Sequence, residues 1–192
     1  MTVQSKVVML GDVSVGKTAI IMRYVANKFQ NELNSTIGAS YQQKAVQNKL
    51  GNIVMLQIWD TAGQERYKGL ASLYYRSCNA VILVWDVTRF DTLEKAKQWI
   101  HLLYQETDLI PNIILVANKI DLYDGSLDEI DNLQNDFCQE FNILKAIKVS
   151  ASSGVGIRDI FQTIADKVEI VEEENQKVID IDEPNSFHWK CC

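Results

Sequence analysis

Five short apolar runs punctuate the chain: "KVVML" at 6–10, "NIVMLQI" at 52–58, "AVILVW" at 80–85, "NIILVA" at 112–117 and "KAIKV" at 145–149. Most are rich in β-branched residues and lack strict polar alternation, the pattern of strands covered on both faces. Stretches of helical period lie between them. Leu93, Ala96, Trp99, Ile100 and Leu103 share one face in 92–104, and Ile157, Ile160, Phe161, Ile164 and Val168 share one in 157–168. In 40–58 two extended runs flank "KLGN" at 49–52, the pattern of a hairpin and hence of one antiparallel edge strand. Together these elements predict an α/β fold: a six-stranded, mostly parallel sheet with helices on both faces. No internal repeat is visible.

Beyond about residue 170 the pattern stops. "EEENQKVIDIDEPNSFHWKCC" is acidic, holds Pro184 and shows no sustained helical face. The reading is a folded domain over 1–170 and a flexible acidic tail over 171–192.

Composition narrows the class. With 192 residues, 47% of them hydrophobic, the chain suits one soluble domain with a sizeable core. A net charge of −6 leaves no basic surplus for general binding of nucleic acid. No apolar stretch approaches the ~18 residues needed to span a bilayer, and "MTVQSK" lacks the apolar core of a secretion signal. Four cysteines are too few for a disulfide scaffold and fit a reducing cytosol. Cys78 and Cys138 read as buried helix residues, and His101 and His188 have no metal-spaced companions.

"GDVSVGKT" at 11–18 follows the first apolar run and leads into the helical-looking "KTAIIMRYV". Strand, Gly-x-x-x-x-Gly-Lys-Thr and helix form the setting of a phosphate loop. Its glycines let backbone amides turn inward, and the new helix offers its positive end. Ser14, Val15, Gly16, Lys17, Thr18 and Ala19 are the expected phosphate-side residues. Lys17 would neutralise β- and γ-phosphates, and the Thr18 hydroxyl would ligate Mg²⁺.

The base is the next question. "NKID" at 118–121 follows the run "NIILVA", placing Asp121 just past the carboxyl end of a strand, where open α/β sheets bind ligands. A carboxylate there accepts from N1–H and the 2-amino group of guanine, a donor pair that adenine lacks. The competing reading is a carboxylate that caps the next turn. Asn118 and Lys119 would brace the loop and cover the ring. "SAS" at 150–152 adds Ser150, Ala151 and Ser152, with the Ala151 amide free to donate to guanine O6.

On these motifs the chain, over about residues 5–170, resembles the small GTPases of the Ras superfamily. "STIGASY" (35–41), "LQIWDTAGQERY" (56–67), "YYRSCNA" (74–80) and "LVWDVT" (83–88) resemble the Rab branch of membrane traffic. "TIGA" with "RYKGLASLYYR" leans towards its early-endosomal members. The resemblance implies the three-layer P-loop GTPase fold and slow conversion of GTP to GDP.

It also implies roles. Asp60 would hold Mg²⁺ through a water, Thr36 would give its hydroxyl to Mg²⁺ and its amide to the γ-phosphate, and the Gly63 amide would reach the same phosphate. Gln64 would orient the attacking water, and Phe29 would stack on the base or else belong to the core. Two segments would then depend on one phosphate for their order. Ile37, Gly38, Tyr41, Trp59 and Tyr74 would face effectors, the three aromatics either as a partner surface or as plain packing. No arginine is assignable as a finger acting in cis. The implied partners are an exchange factor, an activating protein, effectors, a GDP dissociation inhibitor and a prenylation escort protein, acting on a monomer.

Cys191 and Cys192 would carry two geranylgeranyl groups, because two chains anchor stably where one is marginal and the tail has no basic cluster to help. The expected location is the cytoplasmic face of endosomal membranes, with a cytosolic GDP-bound pool. Three positions depart from the family's usual pattern: Val13 for Ser or Gly, Tyr41 for Phe, and Ser152 for Lys. Val13 would crowd the γ-phosphate and slow hydrolysis. That motivates one alternative, a nucleotide-gated binding module with negligible turnover. A P-loop kinase is a further class, disfavoured by Asp121 and by the lack of an arginine-bearing lid.

Overall fold

The computed structural model describes residues 2–30, 36, 38–62, 73–107 and 109–168. Six strands form one sheet: β1 (Thr2–Gly11), β2 (Ala39–Gln47), β3 (Ile53–Thr61), β4 (Ala80–Asp86), β5 (Asn112–Asn118) and β6 (Lys145–Lys148). Their order across the sheet is β2-β3-β1-β4-β5-β6, with every neighbouring pair parallel except β2 and β3. The antiparallel pair closes on the 48–52 turn. There the buried Asn48 side chain accepts from the Leu50 and Asn52 amides at 3.0 and 2.9 Å, and Gly51 takes φ 84. This is the hairpin predicted from "KLGN".

All seven residues of β4 are buried, which explains the absence of polar alternation there. Alternate residues serve two separate cores. Ile82 and Val84 meet α1 (Lys17–Ala26) and α4 (Ile157–Lys167) on one face. Val81, Leu83 and Trp85 meet α2 (Asp91–Glu106) and α3 (Leu127–Glu140) on the other. Tyr24 of α1 stacks on Phe161 of α4 with ring centroids 3.7 Å apart. At the same end of α4 as the 48–52 turn, Gln162 donates to the Gln47 carbonyl at 3.0 Å and Asp166 accepts from the Lys49 amide at 2.7 Å.

Two differences from the sequence reading have physical causes. Cys78 sits in the turn before β4 rather than in a helix, since its amide closes a turn onto the Tyr75 carbonyl. It is half-buried, and burial pushes its thiol up to about 12. The helix α3, absent from the sequence reading, packs Ile130, Leu133 and Phe137 into the core beside one buried polar residue, Gln134. Its start is fixed by Ser126, whose side chain accepts from the Asp128 amide.

Phe161→Ala removes a fully buried ring and the stack it makes with Tyr24. It should cost about 3–5 kcal/mol in urea unfolding at fixed, saturating Mg²⁺ and GDP. Leu50→Ala, at a side chain 72% exposed, should stay within about 0.5 kcal/mol.

Candidate functional site

The site is assembled where β1, β3, β4 and β5 end. Gly11, the last residue of β1, has φ 138, and a Cβ there would stand 2.2 Å from the Val84 carbonyl oxygen, so only glycine lets the chain leave the sheet this way. The loop turns through Ser14 at φ 61 and Gly16 at φ 100, and α1 opens at Lys17. Lys17 is buried and curls back over its own loop, donating to the carbonyls of Gly11 at 3.0 Å and Asp12 at 2.8 Å. Burial pulls its ammonium down to about 8, against the opposing charges of Asp60 and Asp12. A buried cation met chiefly by neutral carbonyls is well placed to accept an anion.

Asp60, near the end of β3, is 1% exposed. One carboxylate oxygen accepts from Thr18 at 2.7 Å and Thr36 at 3.4 Å, and the two hydroxyls lie 3.0 Å apart. Burial drives this carboxyl up, while the Thr18 bond, the Lys17 charge and the Thr36 bond oppose it. Its other oxygen, Oδ1, is buried and has no hydrogen-bond partner among the described residues. An orphaned carboxylate oxygen beside two hydroxyls is a hard, all-oxygen donor set, which fits Mg²⁺. The three residues expected to serve a metal thus come together from α1, β3 and the segment before β2.

A cavity of about 200 Å³ opens beside the loop, lined by Gly16, Ala19, Phe29, Asn118, Lys119, Asp121, Leu122, Ala151 and Ser152. Asn118 builds its floor, donating to the Val15 carbonyl at 2.8 Å and accepting from the Ala151 amide at 3.2 Å. A Cβ on Gly16 would lie 2.3 Å from the Asn118 amide nitrogen, so this glycine permits that approach. Lys119 takes φ 70 and reaches the Asp86 carboxylate at 2.6 Å. Asp121 stands exposed on the short helical turn Ile120–Leu122, and among the described residues nothing bonds its carboxylate. Phe29 lines the cavity and also packs on the core. Ser150 is buried and accepts from the Ser153 amide, while Ser152 is exposed.

Other residues escaped the sequence reading. Arg23 donates to the Ala151 carbonyl at 2.9 Å and to the Ser152 carbonyl, and its guanidinium lies 6.0 Å from the Phe29 ring centre. Asp86 is fully buried at the end of β4, where Thr88, Arg89 and Lys119 converge on it. A carboxylate closing an otherwise apolar run was the available signal for Asp86; nothing local marks Arg23. Lys95 pairs with the Asp12 carboxylate at 2.8 Å.

Away from the cavity, Tyr41, Trp59 and Tyr74 form a row with ring centres 5.1 and 5.2 Å apart. Tyr41 is 42% exposed, whereas Trp59 and Tyr74 also pack on the core. Gly38 has φ 77 and its carbonyl accepts from the Ala62 amide at 2.9 Å. Ile37, Gly63, Gln64, Cys191 and Cys192 lie outside the described residues.

The sequence profile of the Ras family matches residues 6–170. The chain belongs to that family. It is 37% identical over 177 residues to GTP-binding protein ypt5 of Schizosaccharomyces pombe, covering 91% of this chain and 82% of that protein. It is 37% identical over 183 residues to GTP-binding protein YPT53 of Saccharomyces cerevisiae, covering 92% and 81%. With Ras-related protein RABA1h of Arabidopsis thaliana it shares 38% identity over 168 residues, covering 84% and 77%. A Rab-branch small GTPase, an enzyme acting on GTP, accounts for the fold and for these likenesses together.

The pH response of the Asp86 cluster follows from its charges. Burial pushes the Asp86 carboxyl up, but the hydrogen bonds from Lys119 and Thr88 and the Lys119 charge outweigh it and hold the group below 3.8. A depressed carboxyl stabilises the fold above its unfolded pKa and loses that contribution as pH falls through the folded one. Asp86→Asn should therefore cost about 1–3 kcal/mol at pH 7. The gap from wild type should narrow progressively below about pH 4 in thermal melts taken across pH 2–7.

Proposed function

We propose that the chain is a GTP/GDP switch of intracellular membrane traffic, in which Thr36 is the contact that registers the γ-phosphate. The observation that carries this reading is the reach of Thr36 to Thr18 and Asp60. A segment remote from the phosphate loop in sequence is thereby drawn to a place suited to a metal. In this reading Lys17 and the amides of residues 14–19 hold the phosphates. Asp121 and the Ala151 amide read the guanine edge, and Asn118 keeps those two loops in register. Bound Mg²⁺ would supply charge neutralisation for the phosphates, with Thr18, Thr36 and Asp60 as the residues that would hold it. Gln64 would position the attacking water. No finger is assigned in cis, so turnover is slow until an activating protein supplies one.

The membrane part rests on the family and on the tail. No helix among the described residues is long and apolar enough to cross a bilayer. Attachment would instead come from geranylgeranyl groups on Cys191 and Cys192, with the early-endosomal surface as the site of action. Tyr41, Trp59 and Tyr74, contiguous and partly exposed, are the surface offered to effectors, alongside Ile37 and Gly38. Exchange factor, activating protein, GDP dissociation inhibitor and prenylation escort complete the cycle. The Asp121 carboxylate favours this switch over an ATP-using kinase, because adenine offers it no donor pair.

Hydrogen exchange of the GDP form and of a form with non-hydrolysable GTP should differ, with protection over 30–41 and 61–75 gained in the triphosphate form. Equal protection in the two would overturn the switch. Val13 is half-buried in the phosphate loop, so Val13→Ser should raise the single-turnover hydrolysis rate, with and without an activating protein. Unchanged rates would assign the slowness elsewhere.

A further inference from the structure

The phosphate loop is held from outside at two carbonyls. Asn118 donates to the carbonyl of Val15 at 2.8 Å, and Arg89 donates through Nη2 to the carbonyl of Val13 at 3.0 Å. No peptide bond among the described residues is cis. In a trans peptide plane the carbonyl of one residue and the amide of the next point in opposite directions. Fixing the Val13 carbonyl outward against Arg89 therefore turns the Ser14 amide inward. Fixing the Val15 carbonyl does the same for Gly16.

The amide in the plane that Arg89 fixes is that of Ser14. Ser14 adopts φ 61, a conformation that a residue with a side chain rarely takes unaided, so its plane needs an external hold.

Arg89 is itself restrained. Its Nε lies 3.3 Å from Asp86 Oδ2, the oxygen that also receives Lys119 Nζ at 2.6 Å. The Thr88 amide and hydroxyl occupy the other oxygen at 3.0 and 2.7 Å. The guanidinium is a planar fork, so one nitrogen bound to Asp86 sets the direction of the next. Lysine, a point charge on a flexible stem, would keep the donor and lose that direction.

We propose that Arg89 is a positioning residue that presets the Ser14 amide as a donor to the nucleotide phosphates. It acts through the Val13 carbonyl, without itself touching the nucleotide. The inference rests on the reading of 11–18 as the phosphate loop.

The test uses ¹⁵N-labelled full-length chain loaded with Mg²⁺ and GDP, as wild type, Arg89→Met and Arg89→Lys. In wild type, GDP should move the Ser14 and Gly16 amide protons downfield, as charge-assisted bonds do. Arg89→Met should lose more than half of the Ser14 shift and leave that of Gly16 in place. GDP dissociation should quicken about tenfold, the scale of one weakened bond to a charged acceptor. Arg89→Lys should recover part of both effects. Asp86 keeps Lys119 and Thr88 in either variant, which preserves the fold. An unchanged Ser14 shift in Arg89→Met overturns the inference, as does a parallel loss at Ser14 and Gly16, the mark of general loosening. If neither amide moves in wild type on loading, the phosphate-loop reading itself fails and takes the inference with it.

Discussion

Asp86 and Asn118 pair across β4 and β5 in the sheet register, at the point where both strands end. One is a buried carboxylate that must be neutralised, and the other a buried carboxamide with a donor and an acceptor to satisfy. Neither can be left unpartnered at reasonable cost. Their partners are therefore drawn in from three separate loops: Val15 and, through Arg89, Val13 from the phosphate loop, Lys119 from the base-side turn, and Ala151 from the loop after β6. The ligand site exists because two adjacent strand ends demand those contacts. A sheet that ended in apolar residues here would have no reason to gather the loops.

The same demand explains why the site sits where it does. Parallel strands deliver all their carboxyl ends to one edge, and the switch in strand order leaves room there for a ligand. Gly11 and Gly16 then allow main chain and Asn118 to approach more closely than any side chain would permit. Cation, hydroxyls and carboxylate at Lys17, Thr18, Thr36 and Asp60 fill the remaining space with strong but incompletely matched charges.

Much of this was legible in the chain. The apolar runs mark β1, β3, β4, β5 and β6, and the 49–52 turn marks the edge hairpin, because each signal is local. Loop 11–18, Asn118, Asp121 and Ala151 were legible too, since their spacing carries its own chemistry. What the sequence hid is what distance conceals. Arg23 meets Ala151 128 positions away, and Arg89 meets Val13 across 76. No periodicity encodes such pairings; they exist only after the sheet has brought the loops together. The helix α3 was obscure for another reason: Gln134 interrupts the apolar face that Ile130, Leu133 and Phe137 present to the core.

The ties between α4 and the 48–52 turn carry a geometric consequence. That turn lies at the opening of β3, and Asp60 near its close, seven residues on. At ~3.3 Å per residue the two are separated by roughly 23 Å, about the length of the sheet. Gln162 and Asp166 hold the end of α4 beside the turn. Val168 therefore lies at the pole of the molecule opposite its ligand. Any surface that meets this pole leaves the phosphate end and the aromatic row turned outward, open to visitors from solution.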